Sequence, residues 1–202
     1  MGKKDFKKIY KELYKPPKKI VDVSVPELNF FMIDGKGDPN NSTTFQTATE
    51  LLYALSYTLK FMVKNDSKYY DYTVMPLEGL WSTKDKQDFD QASKDKFIWT
   101  IMIMQPDFVD EKLFESVKKE LSRKKPDLKP DNVRLEKYAE GLSAQVLYLG
   151  AYSDEKPTIK KIHEFIKENK GQFNGKHHEI YLSDPRKTAD EKLKTIIRQP
   201  FC

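Results

Sequence analysis

The 202-residue chain predicts an α+β fold of two tandem β-α-β-β units, related by a pseudo-two-fold axis about a central ligand groove. Three observations carry that reading. The order strand, helix, strand, strand is legible twice in the hydrophobic periodicity. Each half's first strand stops at a glycine, Gly35 and then Gly150, and each half's last strand stops at a Gln-Pro pair, Gln105-Pro106 and then Gln199-Pro200. The 12 Phe, 11 Tyr and 2 Trp offer more flat apolar surface than packing alone needs, as a pocket for a planar ligand would.

In the first half, Leu28 to Ile33 reads as a strand ended by the turn-rich Asp34-Gly35-Lys36-Gly37-Asp38-Pro39. Asn41-Ser42-Thr43 supplies capping chemistry for a helix from Phe45 to Val63, whose Phe45, Ala48, Leu51, Leu52, Leu55, Leu59 and Met62 recur at helical spacing. Tyr72 to Leu80, interrupted by Pro76, and Phe97 to Met104 read as strands, with Trp81 to Lys94 as the charged connection between them. Asp110 to Lys124 is a connecting helix with Leu113, Phe114, Val117 and Leu121 inward. The second half repeats the order. Ala144 to Leu149 is a strand, Pro157 to Glu168 a helix with Pro in its first turn, and His178 to Leu182 and Lys192 to Arg198 are the closing strands. The organisation is therefore a basic lead-in over 1–19, expected to be mobile around Lys15-Pro16-Pro17, and one ligand-binding domain over 20–202. That domain comprises repeat one at about 26–106, a connection at 107–132 and repeat two at 133–202.

Composition excludes several classes. The 36 Lys and Arg are interleaved with 31 Asp and Glu, so a net charge of +5 gives little support for nucleic-acid binding. No apolar run approaches the ~18 residues needed to span a bilayer, so no membrane partner is expected and the protein reads as cytoplasmic. Cys202, the single cysteine and the last residue, excludes an internal disulfide and a cysteine-based metal cluster. His177 and His178 are adjacent, so on a strand they point to opposite faces and cannot share one ion; no metal and no cofactor is expected. No Gly-x-Ser-x-Gly is present, and the glycines of 34–38 match neither a phosphate loop nor a dinucleotide fingerprint.

The candidate site centres on Lys176-His177-His178-Glu179-Ile180-Tyr181-Leu182, where a carboxylate interrupts an otherwise apolar strand. Burying Glu179 costs several kcal/mol unless it is paired, protonated or used, though on an edge strand it would simply face solvent. Aligning the halves on Pro76 and Pro185 sets Tyr70 opposite Glu179. Trp81, Trp99, Tyr138, Tyr148, Tyr152 and Tyr181 are lining candidates that serve equally well as core, and Glu78 is a second candidate carboxylate or a turn residue.

Four segments taken in order, Tyr72 to Trp81, Lys96 to Pro106, Glu136 to Gly141 and His177 to Arg186, resemble the GyrI-like small-molecule-binding proteins, over roughly residues 20 to 201. The resemblance implies a tandem of units with a central groove, the architecture of the effector domains of multidrug-sensing transcription regulators. Those regulators place a DNA-binding domain ahead of it; the short basic stretch here is not one, so DNA binding is not carried over. Stand-alone relatives are of two kinds: binders of planar, lipophilic or cationic compounds, and cyclopropanoid cyclopropyl hydrolases, which open the cyclopropane ring of DNA-alkylating natural products. The acid of the family groove matches Glu179. In a hydrolase it would be the general base, with Tyr70 stabilising the carbonyl that gains charge; in a binder it would hold a cation between aromatic walls. A third reading, inhibition of a protein such as gyrase, rests on the family's name alone.

Overall fold

The computed structural model describes residues 3–83 and 93–202, with backbone alone at Lys94. Two short helices, α1 (Phe6–Ile9) and α2 (Lys11–Tyr14), precede six strands: β1 (Val21–Lys36), β2 (Leu77–Thr83), β3 (Phe97–Gln105), β4 (Arg134–Leu149), β5 (His177–Tyr181) and β6 (Lys194–Pro200). Three longer helices connect them: α3 (Thr43–Val63), α4 (Glu111–Lys124) and α5 (Lys156–Glu168). The strands close into an antiparallel barrel in the order β1-β3-β2-β5-β6-β4. The first half thus contributes β1-β3-β2 and the second β4-β6-β5. They meet along β1 and β4, paired from Val21↔Gln145 to Met32↔Arg134, and along the much shorter β2 and β5, paired from Glu78↔Ile180 to Trp81↔His177.

Side chains alternate between the two faces of the barrel wall. The outward face carries Phe31, Ile33, Ile101, Ile103, Trp99 and Trp81 under α3 and α4. Ser42 caps α3 by accepting from Phe45 N at 3.3 Å, and Ala48, Leu51, Leu52, Leu55 and Leu59 are buried at helical spacing; Met62, expected among them, is exposed and Val63 is buried in its stead. Asp110 caps α4 and Phe114 reaches Phe31, ring centroids 5.0 Å apart. Helix α5 covers Val146, Ile197 and Phe201 through Ile159, Ile162 and Ile166. Among the described residues no helix is long and apolar enough to cross a membrane.

Three expectations are corrected. Strands β1 and β4 each run 16 residues, far beyond the alternating cores at 28–33 and 144–149. The pattern had hidden this because it changes phase: burial follows Val23 and Val25, passes Pro26, then follows Leu28, Phe30 and Met32. In β4 the change falls at Gly141, whose φ of 77° favours glycine. Strand β2 starts at Leu77 rather than Tyr72 and continues through Trp81 to Thr83, since Pro76 cannot donate to a ladder. Residues 84–92 of the expected charged connection lie outside the described residues. Residues 3–19 are docked rather than mobile: Phe6, Leu13 and Tyr14 are buried, Lys4 bridges to Tyr72, and Pro17 O accepts from Leu147 N at 2.9 Å.

Candidate functional site

The short seam between β2 and β5 joins the halves, and its two faces carry different chemistry. Glu179 lies opposite Gly79 on the outward face, flanked on its own strand by His177 and Tyr181 at a spacing of two. Tyr181 OH donates to Glu179 Oε2 at 2.8 Å and accepts from Trp81 Nε1 at 3.1 Å; His177 Nε2 lies 3.2 Å from Oε1. Trp81 stacks on Phe45 of α3 at 5.9 Å, and Tyr152 meets Tyr181 edge-on at 5.6 Å. Glu179 is 7% exposed, and its site is filled by these aromatic side chains. Two open recesses, of about 420 and 340 Å³, lie elsewhere, the first beside Lys18, Tyr148 and Lys161 and the second beside Ile33, Leu51 and Leu128.

Burial, reinforced by the charge of Glu179 and the bond to it, pushes the Tyr181 hydroxyl up; burial, with Glu155 and then Glu179, pushes Tyr152 up to about 12. Both hydroxyls therefore stay protonated as donors at neutral pH. Gly79 leaves the room this arrangement needs, because a Cβ there would stand 2.8 Å from Trp81 Nε1 and 3.1 Å from Tyr181 OH.

The inward face of the same seam carries ions. His178 Nε2 lies 3.0 Å from Glu78, its Nδ1 3.0 Å from both oxygens of Glu140, and Arg198 Nη1 reaches Glu140 at 3.0 Å. Arg198 also donates to Gln145 and to Leu13 O, and Tyr14 OH donates to Glu78 at 2.7 Å. Two carboxylates facing both ring nitrogens require both to donate, so His178 is an imidazolium. Burial opposes that charge, but Glu140 and Glu78 outweigh it and raise the His178 pKa to about 9. Burial likewise opposes ionisation of Glu140, while His178 and Arg198 hold it down at about 2. Two acids, Glu78 and Glu140, thus face two bases, His178 and Arg198, which is what lets the four share the interior.

The sequence-derived candidates separate accordingly. Glu179, Tyr181, Trp81 and Tyr152 come together. Tyr70 does not: it sits outside any strand, donates to Asp107 and packs on Phe108 and Phe6, so its pairing with Glu179 is overturned by the register that sets Gly79 there. Trp99 is fully buried core, edge-on to Phe45 and lying over Gly35, where a Cβ would meet its ring at 2.1 Å. Tyr148 donates to Ala151 O beneath Gly150. Tyr138 packs on Phe30, and burial with the nearby Glu140 pushes its hydroxyl up to about 12. Glu78 is a buried carboxylate on the inward face, not a turn residue and not in contact with Glu179. Sequence reasoning missed His177 as a neighbour of Glu179, although the two-residue spacing to Glu179 and Tyr181 signals it. It also missed Tyr14, Glu140 and Arg198, which come from distant parts of the chain. Among the described residues no group of three or more His, Cys, Asp or Glu is arranged to hold a metal ion.

Comparison with known proteins gives the geometry a family. The GyrI-like small molecule binding domain matches residues 19–201. A solved Listeria innocua structure described as an uncharacterized conserved protein is 41% identical, over 98% of this chain and 99% of its own, with a TM-score of 0.91. Another from Listeria innocua, described as a hydrolase, is 39% identical over 98% of this chain and 99% of its own, with a TM-score of 0.88. The C-terminal domain of EcmrR, 11% identical over 91% of this chain and 97% of its own at a TM-score of 0.57, shares the fold alone. No curated protein shows a significant match.

Proposed function

Since the chain belongs to the GyrI-like small molecule binding family, we propose that it takes a planar, hydrophobic or cationic molecule over Glu179 and adds water to a strained ring of it, in the manner of cyclopropane-opening hydrolases. The observation that carries this reading is the carboxylate held among Tyr181, His177, Trp81 and Tyr152 at the junction of the two halves. A duplicated origin for the halves is part of it, supported by the matching strand orders β1-β3-β2 and β4-β6-β5. In this reading Tyr181, bonded to Glu179, and Tyr152, packed edge-on to Tyr181, swing aside to admit a flat ligand against Trp81.

In the reaction, the oxygen of water bonds to the ring carbon as the cyclopropane C–C bond breaks and its electron pair moves onto the conjugated carbonyl oxygen. Glu179 takes the proton of the water, and the ring oxygen takes one back as a phenol. Tyr181, kept protonated, can donate to the oxygen that gains charge. Trp81 supplies a flat face. The name hydrolase given to the 39% identical Listeria protein favours turnover. A second reading, binding without turnover, is favoured by one specific feature: the aromatic side chains of Tyr181, Trp81 and Tyr152 gather about Glu179, which suits a carboxylate that holds a cation between flat walls.

The test is incubation with cyclopropane-bearing aromatic electrophiles followed by product mass for wild type and Glu179→Gln. The expected result is ligand plus one water, lost in Glu179→Gln with binding largely kept. Full turnover by that variant refutes Glu179 as the base; stoichiometric binding with no product leaves the binder.

A further inference from the structure

Averaged over the chain, positive and negative charges nearly balance; by position they do not. Residues 1–19 hold 8 of the 36 Lys and Arg and 2 of the 31 Asp and Glu, a formal +6, so the other 183 residues together carry −1. Residues 3–19 of this segment are also fixed in place. They are anchored by buried Phe6, Leu13 and Tyr14, with Lys4 bridged to Tyr72 at one end and Pro17 O bonded to Leu147 N of β4 at the other. Lys8, Lys11, Lys15, Lys18 and Lys19 project from the segment into solvent. The recess of about 420 Å³ where it reaches β4 is lined by Lys18, Lys19 and, from α5, the exposed Lys161.

Among the described residues none of these six lysines forms a salt bridge, as several exposed lysines elsewhere do not; what distinguishes them is that five of the six share one short segment that carries only two acids. Unpaired like charges held on one docked segment repel one another, and an external polyanion would relieve that repulsion.

We propose that the docked N-terminal segment and Lys161 form a docking surface for the phosphodiester backbone of double-stranded nucleic acid, bound without regard to sequence. Its cations are all lysines, with no arginine, suited to point-charge contact with phosphates rather than to reading base edges. An anionic membrane fits less well. The two helices are a single turn each and expose one aliphatic side chain, Ile9, so there is no apolar face to bury among lipids.

The experiment measures anisotropy of a labelled duplex against salt for three proteins: wild type, a variant with Lys8, Lys11, Lys15, Lys18 and Lys19 all changed to Gln, and a control with the exposed Lys112, Lys119, Lys125, Lys167 and Lys170 changed to Gln. Both variants lose the same net charge and keep every buried anchor, and circular dichroism confirms that each is folded. With about five phosphates neutralised, log affinity should fall with log salt at a slope near −4.5, about 500-fold between 50 and 200 mM. The N-terminal variant should lose at least ~100-fold at 50 mM salt and most of that slope, while the control stays within ~3-fold of wild type. Equal losses in the two variants, no binding by wild type at 50 mM salt, or tighter binding to phosphatidylserine vesicles than to the duplex would each overturn the proposal.

Discussion

Replacing Arg198 by Met tests the account of the barrel interior most severely. Arg198 is 2% exposed, and its guanidinium spends its donors on Glu140 Oε2 at 3.0 Å, Gln145 Oε1 at 2.9 and 3.0 Å, and Leu13 O at 2.9 Å. Methionine fits the aliphatic stem but leaves Glu140 with His178 alone and strands two buried oxygens. Breaking one partner out of a buried ion pair costs about 3 to 5 kcal/mol, because the remaining charge stays desolvated. At ~2 to 4 °C per kcal/mol for a domain of this size, the melting temperature should fall by about 6 to 20 °C. Arg134 provides the contrast. It pairs with Asp34 and Glu136, yet its side chain is 39% exposed, so Arg134→Met should cost under ~1 kcal/mol. Urea unfolding followed by circular dichroism measures both, and a double variant Arg198→Met with Glu140→Gln should recover part of the loss. If Arg198→Met is no costlier than Arg134→Met, the interior charges are not desolvated as described and the reasoning fails.

Two further outcomes follow from the same geometry. His178 is raised from 6.5 to about 9, so its stabilisation is complete below pH 6.5 and is lost as pH rises through 9; Glu140 is lowered from 4.5 to about 2, so its contribution is complete above pH 4.5 and is lost as pH falls through 2. The urea midpoint should therefore peak between about pH 4.5 and 6.5, and a midpoint that does not fall between pH 7 and 9.5 contradicts an imidazolium at His178. Gly79→Ala should drive its methyl into Trp81 Nε1 and Tyr181 OH, breaking their bond at a cost of about 1 to 3 kcal/mol and weakening ligand binding. Unchanged tryptophan fluorescence and unchanged affinity in that variant would mean that the outward site has room for a methyl group and is not packed as tightly as these distances require.

Much of the architecture was legible because helices and central strands repeat their period over many residues. The α3 positions 48, 51, 52, 55 and 59, and the alternating 97, 99, 101 and 103 of β3, needed only local reading. What escaped had physical reasons. The halves of β1 and β4 on either side of Pro26 and Gly141 carry opposite phases, so a single alternation ends at the break. The lysines of residues 3–19 mask three buried residues that hold the segment down. Within the site, Glu179 and Tyr181 share a strand face by spacing alone, and Trp81 joins them only through the β2–β5 register, which no local pattern specifies. Tyr70 was misplaced because equating two prolines presumed a strand where the chain has none. Arg198 looked like the polar end of a strand. Only the closed barrel reveals that it faces Glu140, 58 residues away in sequence.

The two faces of the β2–β5 seam are linked by register. Only four residue pairs hold these strands together, and a slip of one residue would turn every side chain of β5 to the other face, taking Glu179 inward and putting His178 where the site carboxylate belongs. His178 meets Glu78 and Glu140 in one register only, so the interior ions select the alignment in which Glu179 faces Trp81. Buried ion pairs are weak sources of net stability but are attested as selectors among alternative pairings. The hypothesis makes a prediction separate from stability: a variant with Glu78→Gln, Glu140→Gln, His178→Leu and Arg198→Met together, which removes all four charges at once, should stay folded yet show doubled amide resonances for residues 177–181. A single set of sharp resonances, with Tyr181 still near Trp81 by nuclear Overhauser contacts, would show that apolar packing alone sets the seam and that the ions are not what orients Glu179.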